Sequence, residues 1–403
     1  MSKKEKDAAI NKGLFYTILA AMIVLGAASF LYLINGQHPE KAWHAYHINF
    51  LLWSAIAQGG LLFSIVMHLC KARWSGPLAG LSEAFAGFFP VSFVLFLVLF
   101  LGREHLFPWL HHDLHGKEVW LNMPFLFTRD FAGLLALYGL GFGYLFNSLK
   151  LKRVGWAPTS TDGHGRTPTG TDEGNAAAIR SRMTLYAVLY TLAYALVLSL
   201  IGFDLVMSMD PHWISTLFGA YAFVKAFYIG LGALLILASI VYLVQGEASP
   251  LRPSHFHDLG KLFFGFCLVW ADFFYAQFVV IWYGNLPEET HYVIQRTMAP
   301  PWNGLAWFVF ILCFIAPFFI LLNKRVKTNP VFMMILSSAI IIGIWLEHLL
   351  LLGPAWDAGA ARLPLGLWDA LISLGFLGLM AASVAAFLKL FPELVPTAPA
   401  EVN

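Results

Sequence analysis

The sequence predicts an all-α polytopic membrane protein of about ten transmembrane helices, and three observations predict it. Of the 403 residues, 59% are hydrophobic and only 12% are charged, against roughly a quarter charged in a soluble domain. Ten apolar stretches reach the length needed to cross a bilayer, which is about 20 residues. Lys and Arg fall almost entirely in alternate connecting segments, as the positive-inside rule requires of a multi-pass protein. Mean hydropathy is +0.69, so most of the surface is built for lipid. A net charge of +2 leaves no basic excess for nucleic acid.

The apolar stretches are 13–35, 42–70, 83–101, 122–149, 183–207, 212–244, 255–283, 301–322, 330–352 and 365–389. All are continuous rather than alternating, which excludes a closed β-barrel. Several exceed the minimum, so tilt is expected. The polar segment Met1–Lys12 precedes a stretch too long for a signal-peptide core and without a cleavage site, so that stretch reads as a retained first helix. Eighteen Lys and Arg fall on the side of the N-terminus, including Lys71, Arg73, Lys150, Lys152, Arg153, Lys324 and Lys327. Only five fall opposite: Lys41, Arg103, Lys117, Arg296 and Arg362. Both termini are therefore expected in the cytoplasm. The longest polar insert, 150–182, contains Pro-Thr-Ser-Thr-Asp-Gly-His-Gly and reads as a mobile cytoplasmic loop linking two halves.

Those halves resemble each other. Asp204 and Glu347 each lie seven residues before a proline, Pro211 and Pro354, and each proline is followed two residues on by Trp213 or Trp356. The fourth and eighth helices both open with a proline, Pro124 and Pro301. The expectation is a single integral membrane domain, 1–403, holding two four-helix bundles. Helices 2–5 and helices 6–9 form a parallel repeat, flanked by helices 1 and 10, with 36–182 and 183–363 as approximate regions around the two bundles.

Ionisable side chains inside a bilayer are costly and face a bundle interior or water. By depth, His44, His47, Arg129, Asp130, Asp204, Glu347, His348 and Asp369 fall in the outer third. Lys225 and Asp272 fall near the middle, and His68, Glu83, His257, Asp258 and Lys261 near the cytoplasmic side. Together they make a broken file able to relay protons to an outward-facing pocket. Arg129 and Asp130 adjoin and point to different faces, so each is expected to pair with another helix. Lys225 is the partner expected for Asp272 by depth, in a pair either structural or proton-transferring. His44 and His47 are one turn apart; capping, snorkelling or, with His348, a bis-histidine haem are the readings they allow. Cys70, Cys267 and Cys313 form no CxxC or CxxCH pattern, so no iron–sulfur cluster or c-type haem is expected on this chain alone. The outer loop 103–118 is rich in histidine: His105, His111, His112 and His115, with Asp113 and Glu118. It reads as a wet interfacial loop or docking surface, with metal-like spacing but no paired motif.

Three segments carry a resemblance: Met207-Ser-Met-Asp210-Pro211-His212-Trp213, Phe256-His257-Asp258-Leu-Gly-Lys261-Leu262, and Gln277 through Trp282-Tyr283-Gly284-Asn285-Leu286-Pro287-Glu288-Glu289-Thr290. With these the chain resembles the F-subunit family of the bacterial alternative complex III, part of the polysulphide-reductase membrane-subunit superfamily. The resemblance covers helix 1 to helix 10 and implies a membrane subunit of a quinol:cytochrome c-type oxidoreductase in the bacterial cytoplasmic membrane. It implies partners: a homologous larger quinol-binding subunit, an iron–sulfur subunit and multihaem cytochrome c subunits, which hold the haem c and iron–sulfur clusters. This chain would then supply structure, a proton path or a quinone contact, and no redox cofactor of its own. A secondary transporter and a membrane cytochrome are the alternatives that repeats and buried charges also allow.

Overall fold

The computed structural model describes residues 3–111, 114, 116–155, 170–357 and 359–396. Among them ten helices are long and apolar enough to cross a membrane, and no strand occurs. They are α1 (Gly13–Ile34), α2 (Pro39–Leu69), α3 (Gly76–Leu106), α4 (Met123–Arg153), α5 (Gly174–Met209), α6 (Phe218–Ala248), α7 (Pro253–Gly284), α8 (Trp302–Leu322), α9 (Pro330–Trp356) and α10 (Leu367–Leu390). The protein is thus an all-α polytopic membrane protein. Each apolar stretch overlaps one helix, but several helices run further. Helix continues to Gly155 and resumes at Gly170, so much of the expected loop 150–182 is helical. Its remainder, 156–169, lies outside the described residues. Hydropathy marks only the part of a helix that lipid surrounds, and intrahelical hydrogen bonds carry it onward into polar sequence.

Local chemistry sets the helix ends. Pro39, Pro253 and Pro330 sit in the first turns of α2, α7 and α9, where their missing N–H is not needed. The Asn329 side chain caps α9, accepting from the Val331 and Phe332 amides at 3.0 and 3.2 Å. Asn285 ends α7 in the left-handed region (φ 46°), and Pro287 opens a short helix, Pro287–Thr297. In α8 a π turn over Ile311–Ile315 precedes Pro317, which removes the amide that would bond the Cys313 carbonyl. The Tyr228 hydroxyl and the Cys267 thiol donate to that carbonyl instead, at 3.2 and 3.4 Å.

Helices α2, α3, α4 and α5 close one ring of contacts, and α6, α7, α8 and α9 a second. The rings join through α2 against α6, with α5 against α6 and α9 against α2 on either side. A two-fold relation between parallel repeats requires that pattern. α1 and α10 pack on each other and lean together on α2 and α3. Both joints are built on glycine. A methyl on Gly59 would run into the Ala226 carbonyl of α6, and one on Gly230 into the Gly59 backbone. Gly26 of α1 and Gly375 of α10 leave no more room for each other. Small residues at such crossings let helix backbones touch, the main source of attraction between helices in lipid.

Contacts between helix ends give the molecule two faces. On the basic face Lys152 reaches Glu83, Arg153 pairs with Glu393 at 2.8 Å, and the Gln245 amide donates to the Pro396 carbonyl at 3.1 Å. On the opposite, far face Trp356 donates to the Leu106 carbonyl and Trp213 stacks on Tyr292.

Gly59→Ala and Gly230→Ala should each lower the stability of the detergent-solubilised chain by about 1–3 kcal/mol. Gly139→Ala, where a methyl meets nothing within 4 Å, should leave it unchanged or raise it by up to about 1 kcal/mol. Thermal unfolding of the three variants side by side checks this; equal midpoints would refute the close crossing.

Candidate functional site: a buried polar column in the first bundle

The far-face half of the first bundle holds two carboxyls and one guanidinium. Arg129 of α4 donates through Nε to Asp204 Oδ2 and through Nη2 to Asp204 Oδ1, both at 2.5 Å. The Trp120 indole adds a third donor to Asp204 at 3.2 Å, and its ring lies 3.9 Å beneath the Arg129 guanidinium. This bidentate geometry suits a charge that lipid would otherwise surround. Asp130 is 1% exposed and adjoins Asp204, and no protein donor reaches its carboxyl oxygens. Arg129 therefore pairs with another helix, as expected, whereas Asp130 finds no cation and lies against the same acid. The long Arg129 side chain bends back, so both neighbours meet the same acid on α5. One cation against two carboxyls is balanced only when the cluster holds a proton.

The basic-face half of the same bundle holds a second acid. Glu83, 1% exposed, accepts from Ser64 at 2.9 Å, Ser148 at 2.8 Å and Lys152 at 2.6 Å. The Tyr144 hydroxyl lies 3.0 Å from Ser64 Oγ. Between the two acids the Gln58 amide donates to the Tyr138 hydroxyl at 2.9 Å, and Ser92 Oγ lies 2.8 Å from it. Along α4, Tyr144 and Tyr138 are about 9 Å apart, and Tyr138 and Asp130 about 12 Å, at 1.5 Å per residue. The first bundle thus carries polar groups at three depths, with an acid at each end. Ser64, Ser92, Gln58, Tyr138, Tyr144 and Ser148 were not legible as site residues, because single hydroxyls and amides are common in apolar helices. Only their convergence marks them.

The second bundle is built differently. Lys225 Nζ lies 3.1 Å from Glu347 Oε2, and the Tyr221 hydroxyl donates to Glu347 Oε1. The expected Lys225–Asp272 pair does not form. Asp272 is exposed on the outer side of α7, while Lys225 points inward. Asp258 pairs with Lys261 at 2.9 Å on the α7 surface and joins neither cluster. The expected file is therefore two interior groups plus surface residues of α7. Asp369 accepts from the Gly366 amide at 2.9 Å and caps α10.

His47 of α2 lies toward the second bundle, fully buried, with neither ring nitrogen hydrogen-bonded to a side chain. His348 donates through Nδ1 to the Ile344 carbonyl at 2.8 Å, which leaves Nε2 as its free nitrogen. His44 stacks on Trp356 at 3.9 Å, and its Nε2 lies 3.2 Å from the His105 carbonyl. Among the described residues no group of three His, Cys, Asp or Glu converges as a metal site. His112, Asp113 and His115 of the histidine-rich loop lie outside the described residues.

Above the Arg129 cluster a far-face cleft of about 350 Å³ is lined by Trp120, Phe203, Met207, Ser208, Asp210 and Trp213. The Lys117 ammonium closes one side by donating to the Pro211 carbonyl. Trp213 stacks on Tyr292 of the short helix at 3.8 Å, and Arg296 lies 3.5 Å over the other part of that pair. Arg296 donates to the Leu351 carbonyl at 2.9 and 3.2 Å and approaches Asp210 at 3.8 Å. Pro354 lies inside the last turn of α9, three residues past Leu351. Burial pulls the Arg296 guanidinium down from its ordinary value, and Tyr292 and Asp210 beside it oppose the shift. Sequence reading counted Arg296 only as a loop cation.

Lys225→Met or Glu347→Gln alone should cost about 3–5 kcal/mol, because each leaves a buried charge unmatched, and the double variant should recover part of the loss. Lys225→Met combined with Asp272→Asn should show no such recovery. Thermal unfolding of the purified chain gives both cycles; recovery with Asp272 instead would overturn the pairing. No family model matches the chain and no curated protein matches it either, so the reading of its role rests on the residues themselves.

Proposed function

We propose that the chain is the non-haem membrane subunit of a quinol:electron-acceptor oxidoreductase of the alternative complex III type, and that its first bundle conducts protons. The protein lies in a bacterial cytoplasmic membrane with both termini in the cytoplasm, so the basic face is inner and the far face outer. Its partners are the homologous quinol-binding subunit, the iron–sulfur subunit and the multihaem cytochrome c subunits, and they hold the redox cofactors. The carrying observation is the polar column, with Glu83 at the inner end, Asp130 and Asp204 at the outer end, and Gln58, Tyr138 and Ser92 between. Gaps of about 9 and 12 Å need three or four hydrogen-bonded steps each, which trapped waters supply.

The first of the segments that carry the family resemblance, Met207–Trp213, lines the far-face cleft. It packs on the helix that follows Leu286, through Trp213 on Tyr292. The cleft offers aromatic and thioether walls to a quinone ring, with Ser208 and Asp210 as polar groups. That supports a quinone contact next to the outer end of the column. A transporter reading expects matched interruptions in both repeats. The π turn of α8 has no counterpart in α4, which is continuous from Met123 to Gly155.

The test is gentle purification through a tag on this chain, followed by quinol-driven turnover and proton release in liposomes. Haem c and iron–sulfur proteins should co-purify. Asp130→Asn and Glu83→Gln should each lower proton release about tenfold or more, the scale of losing a positioned proton carrier, while the complex stays assembled. Wild-type proton release in both variants would remove the proton path. A colourless chain purifying alone would remove the complex.

A further inference from the structure

The position of Asp272 calls for a partner. α7 packs inward on α6 and α8 with Phe256, Leu259, Phe263, Cys267 and Trp270, which recur every three or four residues. Its other side is a stripe of Leu268, Asp272, Tyr275 and Trp282, with Tyr275 and Trp282 64% and 66% exposed. Asp272 falls about 17 Å past Lys261 and about 20 Å before Asn285 at 1.5 Å per residue, which is mid-membrane. Among the described residues it makes no hydrogen bond or ion pair. A carboxylate facing hydrocarbon at that depth is strongly disfavoured, and long-chain snorkelling is not open to Asp.

Among the described residues no cation reaches it. The intramembrane cations Arg129 and Lys225 are both buried in ion pairs elsewhere. A second copy of the chain would bring no free cation to that depth either, because its Arg129 and Lys225 are buried in the same ion pairs. We infer that the Asp272 face of α7 is the docking site for a transmembrane helix of a different chain, one that carries Lys or Arg at mid-membrane depth. Charge complementarity at Asp272 fixes the register of that helix, and Tyr275 and Trp282 supply the packing area around it. The inference does not depend on the redox reading.

The test uses the full chain in its native membranes. A photoreactive benzoylphenylalanine replaces Tyr275, and the adducts are mapped by mass spectrometry. The expected adduct is a transmembrane segment of another chain bearing Lys or Arg. Asp272→Lys and Asp272→Leu should each reduce that adduct at least tenfold. Replacing the partner's basic residue with Asp should restore it in the Asp272→Lys background. Both variants should match the parent in thermal unfolding once purified alone, because position 272 is on the surface. Adducts only with lipid or with a second copy of this chain would overturn the inference. So would an undiminished adduct in Asp272→Leu, or a reduced one that the partner's acidic variant fails to restore.

Discussion

The backbone crossing of α2 and α6 at Gly59 and Gly230 is the constraint on which the rest of the molecule depends. In lipid there is no hydrophobic force to press helices together, so close contact and interhelical hydrogen bonds must hold them. α2 is the most deeply buried of the ten helices and touches both rings and the outer pair. Its Asn49 shows how much converges there. The amide donates to Ser373 of α10 at 2.9 Å, and its oxygen accepts from Trp345 of α9 at 3.2 Å. The crossing sets the separation of the two bundles.

The two bundles share a plan and differ in chemistry. Asp204 and Glu347 occupy matching places before their prolines, yet Asp204 is held by an arginine from α4 and Glu347 by a lysine from α6. Arginine binds both carboxylate oxygens in one plane, whereas lysine meets one and leaves the other to Tyr221. The basic-face ends differ more. Glu83 is buried among three donors in the first bundle, while Asp258 of the second sits at the surface with Lys261. Among the described residues, only the first bundle has an acid at both ends of its interior. The two bundles share a contact pattern, and a few side chains decide which of them carries the polar column.

The ten helices were legible because lipid demands long apolar runs, and length and hydropathy are properties of the sequence itself. Position along a helix was legible too, since it follows from residue count. The direction in which a side chain points was harder. Lys225 and Asp272 share a depth, but Trp270 faces inward and Asp272 follows it by two residues, about 200° further round. The buried stripe from Phe256 to Trp270 carried that information. Glu347 was named for its place in the repeat, and its partner could be seen only once α6 and α9 were packed. The Arg296 contact was illegible for another reason: it binds a backbone carbonyl, and sequence gives no sign of which carbonyl a side chain will reach.

The pairing of α1 with α10 has a consequence in time. Gly26 and Gly375 touch, although some 349 residues separate them. At synthesis rates of 5–20 residues per second, roughly 20 to 70 s pass between the making of one surface and the other. For that interval α1 sits in the bilayer without its closest neighbour, in contact with lipid or with an insertion factor. The segment after α10 then ties Arg153 and Gln245 through Glu393 and Pro396. α10, made long after α1, is therefore the helix that closes on it, and ribosomes that stop before α10 would release α1 with an unfilled seam for quality control to recognise.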